Sequence, residues 1–182
     1  MLDRRTFLAA FGVLPTAAMA GSLRHAADVA RGSQQPSWQV LSAEQAADLD
    51  ALSSQIIPSD DAPGAREARV VHFIDHSLAT WNSGAREPTL AALGEFNALV
   101  AQRHPGKRFA QLSPDEQLAF LRANEQHGFF QQMVATTRIG TFANPLWGSN
   151  HDGAGYRLLG FEPRFFWEPP FGFYDAEARG TP

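Results

Sequence analysis

Cysteine is absent from the 182 residues. That excludes disulfides, thiolate metal sites and cysteine nucleophiles together. It does not exclude an oxidising compartment, because a chain of this length buries roughly 70% of the surface it exposes when unfolded and needs no bridges to fold. Basic runs are missing beyond the first few positions and the net charge is −4, so nucleic acid is not an expected partner. No apolar run is long enough for a bilayer. The stretch from Phe7 to Ala20 holds fourteen residues, whereas a spanning helix needs roughly 20. Alternating strand patterns are scarce, and no internal repeat is visible.

What the chain does have is phenylalanine, 14 residues of it, many of them late, within a composition that is 44% hydrophobic. That balance belongs to a globular protein. The N-terminus reads MLDRRTFLAAFGVLPTAAMA. A basic start, a short apolar stretch and a small-x-small ending at Ala18-Met19-Ala20 predict a secretory signal over residues 1–20. Arg4 and Arg5 followed by Thr6, Phe7 and Leu8 resemble the twin-arginine export signal, with Asp3 where Ser or Thr is usual. Residues 21–40 read as a linker, and residues 41–182 as one domain.

Helical periodicity dominates that domain. Ser42 with Gln45 forms a capping box and predicts a helix from Ala43 to Ile57, stopped by Pro58. A second is expected from Arg66 to Trp81, with Val70, Val71, Phe73, Ile74, Ser77, Leu78 and Trp81 on one face. A third spans Thr89 to Arg103. Ser113-Pro114-Asp115-Glu116 predicts the start of a fourth, Pro114 to Ala123. The fifth runs from Glu125 to Phe142 with Phe129, Phe130, Met133, Val134 and Ile139 inward. The expected fold is all-α: an irregular bundle of about five helices with a glycine- and aromatic-rich loop and a proline-rich tail.

Three stretches carry candidate chemistry. In HFIDH, the residues His72, Asp75 and His76 project together from the second helix, as metal ligands can. They lie opposite the apolar stripe, so a solvated polar face is the plainer expectation. Asp60 and Asp61 do not continue into a calcium loop and are expected to cap a turn. In GSNHDGAGY, Gly153 and Gly155 match only part of a dinucleotide fingerprint and follow a helix rather than a strand. His151 and Asp152 could form an acid–base pair, but no serine nucleophile motif accompanies them. The tail FEPRFFWEPPFGFYD carries Phe165, Phe166, Trp167, Phe171, Phe173 and Tyr174 among prolines that forbid a regular helix. These rings either cover the bundle or dock into another subunit, where aromatic side chains supply binding energy.

The leader, the stretch IIPSDDAPGAREARVVHFID and the stretch GFFQQMVATTRIGTFANPLWGSNHDGAGYRLLGF together resemble the gluconate 2-dehydrogenase subunit 3 family. The likeness covers about Leu41 to Phe161 plus the leader, and is most specific in P-x-W-G-x-N-x-D-G-x-G-Y-x-L-x-G-F. Ser149 stands where the family shows Gly, and Tyr156 where it shows Trp. The resemblance implies a small, non-catalytic subunit of a periplasmic sugar or sugar-acid dehydrogenase, membrane-associated only through its complex. FAD belongs to the large partner, haem c to a cytochrome subunit where one is present, and this chain holds no cofactor. The leader, with Arg4, Arg5, Phe7 and Leu8, is read by the twin-arginine translocase and exports the folded flavoprotein. Trp147, Asn150, His151, Asp152, Tyr156 and the tail aromatics are the partner-binding candidates. Asn150 and Asp152 are expected to bond loop backbone, and Trp147 and Tyr156 to anchor the loop. Two other readings stay open: a subunit completing the partner's active site in trans, and an independent metal-binding enzyme using His72, Asp75 and His76.

Overall fold

The computed structural model describes residues 38–164 and Phe166. Arg4, Arg5, Phe7 and Leu8 of the leader, and Phe165, Trp167, Phe171, Phe173 and Tyr174 of the tail, lie outside the described residues. Six α-helices and no strand make up the described part, as the all-α expectation requires. They are α1 (Ala43–Ile56), α2 (Val70–Ala79), α3 (Arg86–Arg103), α4 (Pro114–Ala123), α5 (Gly128–Phe142) and the short α6 (Ala154–Leu158).

Local chemistry sets the helix ends. Gln45 N–H donates to Ser42 Oγ at 3.1 Å and Ser42 N–H to Gln45 Oε1 at 2.9 Å, which closes the capping box that opens α1. The same box opens α4, with Ser113 N–H donating to Glu116 Oε2 at 2.7 Å. α2 starts four residues later than the expected Arg66, at the first residue of its apolar face. Residues 65–69 fold into turns instead, with Ala65 N–H on Ile57 O and Val70 N–H on Ala65 O, and Arg69 takes a left-handed backbone at φ 55°. Gly64 makes this fold-back fit, since a Cβ there would lie 2.6 Å from Ile57 O. Glu67 braces the turn, accepting from Gly64 N–H at 2.8 Å and from the Ser59 hydroxyl. α3 begins before Thr89, because Pro88 falls in its first turn, where a missing N–H costs nothing. α5 begins at Gly128 rather than Glu125, capped by His127 Nδ1, which accepts from Phe129 N–H at 3.3 Å.

The core is aromatic and aliphatic. Phe96 is fully buried and meets Phe109, Phe120 and Phe129 at ring distances of 5.8, 5.3 and 5.4 Å. Such pairs add about 0.5–1.5 kcal/mol each beyond burial. Leu49, Leu52, Leu93, Val100 and Met133 complete the contact. Asp48, also buried, accepts from Asn97 Nδ2 at 2.9 Å, Arg108 Nε at 2.9 Å and Ala110 N–H at 3.0 Å, and so ties α1 to α3 and to the turn before α4.

One expectation for α5 fails. Ile139 is 58% exposed. The inward residues of that half are Thr137, Gly140 and Thr141. Gly140 lets α5 approach α2 so closely that a Cβ there would meet Val70 Cγ1 at 3.0 Å and Phe73 Cδ1 at 3.1 Å. Small residues, not a large aliphatic one, define the buried side of this crossing.

Candidate functional site

The loop after α5 is built from its buried polar centre outward. Asn150 is fully buried. Its Nδ2 donates to Ala143 O at 3.0 Å, its Oδ1 accepts from Gly155 N–H at 2.7 Å, and its own N–H donates to Gly140 O at 3.2 Å. His151 N–H reaches across to Ala68 O at 3.3 Å. Gly155 is required by space: a Cβ there would sit 2.0 Å from Thr141 O. Gly148 and Gly153 take left-handed conformations at φ 82° and 70°, as turns of this tightness demand.

Backbone strain concentrates at the same junction. Arg69, Asn150 and Asp152 are the non-glycine residues with left-handed backbone among the described residues. The His151–Ala68 hydrogen bond joins the two segments that carry them. Such conformations cost about 1–3 kcal/mol each and persist where surrounding contacts over-determine them. Here the Asn150 bonds do so.

The side chains that sequence reasoning assigned to the loop fall into two groups. Asn150 bonds loop backbone as expected. Asp152 does not: its carboxylate is exposed and lies 3.4 Å from His151 Nε2, and it is the Asp152 carbonyl that accepts from Arg157. His151 is largely covered. Trp147 and Tyr156 are not buried anchors. Trp147 is 48% exposed, and Tyr156 is half-buried, edge-on to Phe161 at 5.2 Å. Trp81, expected on the buried face of α2, lies past its end, is 52% exposed and meets Trp147 edge to face at 5.4 Å. The turn residues Asn82, Ser83 and Gly84 were the local signal that the helix stops short of it. Leu146, Leu159, Phe161 and Phe166 are exposed as well. The loop thus buries the polar side chains of Ser149 and Asn150 and turns its large apolar side chains outward.

The HFIDH face is not solvated. Asp75 and His76 are buried, and both Asp75 oxygens accept backbone N–H groups, from Gln39, Val40 and Leu41. His72 stacks on Trp38 at 4.7 Å. Burial comes from residues 38–41 lying over this side of α2, so the last residues of the stretch read as a linker are docked. Asp75 holds chain rather than presenting a ligand site. Among the described residues, no three His, Cys, Asp or Glu side chains gather as a metal site, and no helix is long and apolar enough to cross a membrane. A cavity of about 440 Å³ lies between α1 and α2, walled by Trp38, Ala46, Arg69 and His72, with Arg66 paired to Asp50 at 2.9 Å on its lining. It takes no residue from the 144–161 loop.

No curated protein and no solved structure matches the chain. The family described as Gluconate 2-dehydrogenase subunit 3 matches residues 43–163. The match begins at the first residue of α1, spans the bundle and the Asn150-centred loop, and covers more than half of the chain. The chain therefore belongs to the gluconate 2-dehydrogenase subunit 3 family.

Proposed function

We propose that this chain is the non-catalytic small subunit of a periplasmic FAD-dependent sugar or sugar-acid dehydrogenase, which it stabilises and escorts through twin-arginine export. The family name is that of a subunit of a multi-subunit dehydrogenase. The structural observation that supports a gripping role is the inverted loop. Asn150 fixes its shape from inside, while Trp81, Trp147, Leu146 and Phe161 face out. Apolar groups displayed on a hydrogen-bonded frame, rather than packed to make that frame, suit contact with a second protein. In this reading the flavoprotein carries FAD and oxidises the sugar, a cytochrome c or other acceptor takes the electrons, and the Arg4–Arg5 leader serves both chains. The tail aromatics Phe165, Phe166, Trp167, Phe171, Phe173 and Tyr174 extend the grip.

The test is to express the flavoprotein with this chain, without it, and with Arg4 and Arg5 both replaced by Lys. Periplasmic flavoprotein activity falls sharply in the second and third cases. Equal activity in all three overturns the escort role. A second reading, in which the loop completes the partner's active site, draws on the 3.4 Å approach of His151 and Asp152. In that case His151→Gln lowers turnover of the assembled complex without weakening assembly.

A further inference from the structure

The segment that leads into the bundle is held by a clamp, and that clamp shares a wall with the aromatic surface. Asp75 Oδ2 accepts from Gln39 N–H at 2.8 Å, and Oδ1 accepts from Val40 and Leu41 N–H at 3.0 Å each. A buried carboxylate bonded by three backbone donors fixes a segment firmly, since such bonds are charge-assisted and strengthened by the low local dielectric. The next residue of α2, His76, is equally buried and has Nδ1 3.2 Å from Gln39 Nε2. The His76 ring meets Trp81 edge-on at 5.1 Å, and Trp81 meets Trp147 at 5.4 Å. Two rings, His76 and Trp81, therefore connect the clamped segment to Trp147.

We propose that closure of the Asp75 clamp on residues 39–41 and occupation of the Trp81–Trp147 surface by the flavoprotein are energetically coupled through His76. This inference rests on the docking role proposed above. Trp81 lies beyond the end of α2, half-exposed and held by ring contacts with Phe73, His76 and Trp147. A partner seated on it removes its freedom, steadies His76 and, through His76, the Gln39 side chain. Ordering one end of such a contact chain lowers the entropic cost of ordering the other. The coupling is reciprocal: a firm clamp strengthens docking by the same factor as docking firms the clamp. Because the residues before Trp38 join the body here, loading of the flavoprotein is felt at the base of the segment that carries Arg4 and Arg5.

Amide hydrogen exchange on the full chain, alone and in complex with the flavoprotein, tests this directly. Exchange at Gln39, Val40 and Leu41 slows at least tenfold in the complex, about 1.4 kcal/mol of added protection. Gln39→Ala removes the link to His76 at an exposed position and leaves the fold intact. In that variant the complex still forms but the slowing drops below threefold. Binding that depends on Trp147 but leaves residues 39–41 unchanged overturns the coupling and spares the docking role. Equal slowing in wild type and Gln39→Ala also overturns it, since direct coverage by the partner then explains the protection. Absence of any complex overturns both.

Discussion

The bundle and the loop that follows it solve the problem of keeping a shape in opposite ways. In the bundle, Phe96, Phe109, Phe120 and Phe129 turn inward and most polar groups stay out. In the loop, Asn150 and Ser149 are fully buried while Trp147, Leu146 and Phe161 are exposed. Apolar burial stabilises the first, and a few buried hydrogen bonds acting against local strain define the second. The contrast separates stability from display. Changing the bundle's aromatics costs stability, whereas the loop's outer aromatics contribute little to its frame.

The largest effect that this contrast predicts lies in the bundle. Phe96→Ala removes the ring at the centre of the aromatic cluster and costs about 3–5 kcal/mol, read as a lower urea midpoint. In the loop the polar centre replaces the apolar one. Asn150→Ala leaves the buried Gly155 N–H and the partly buried Ala143 O without their Asn150 partner and costs about 2–3 kcal/mol, with local loss of amide protection around residues 140–155. Trp147→Ala, by contrast, lowers stability by less than about 0.5 kcal/mol, as surface changes usually do. A loss at Trp147 as large as that at Phe96 breaks the comparison.

The smallest effect concerns the turn that seats the loop. The Ser59 hydroxyl, then the Gly64 N–H, hold the Glu67 carboxyl below its ordinary 4.5. A lowered carboxylate adds stability above its unfolded value, and that stability disappears as pH falls through the folded value. Wild type is therefore slightly more stable than Glu67→Gln at neutral pH, and the gap between thermal melts of the two narrows as pH falls below 4.5. A gap that widens in acid contradicts this assignment.

Where the chain speaks locally, the sequence is informative. Ser42 with Gln45, and Ser113 with Pro114 and Glu116, announce α1 and α4 because capping is decided within four residues. The PLWGSNHDGAG pattern marks a special loop and, with its flanks, the family. What escaped depends on contacts far along the chain. Asp75 belongs to the polar side of its helix, and only residues 38–41 lying over it turn that side into interior. Ile139 fits the apolar period of α5, but the Gly140 crossing against Val70 and Phe73 sets which face is buried. Trp81 continues the α2 pattern, yet the helix ends before it. Trp147 and Tyr156 looked like anchors because aromatic side chains usually are. A fully buried Asn150 takes that role instead.

Calorimetric titration of the flavoprotein with this chain and with its Trp147→Ala variant bears most directly on the central claim, that an outward aromatic surface on a polar-centred loop grips a folded redox partner. The account predicts at least about 30-fold weaker binding for the variant, some 2 kcal/mol, with an unchanged melting temperature. Equal affinity for the two chains, or weaker binding accompanied by an unfolded variant, contradicts it.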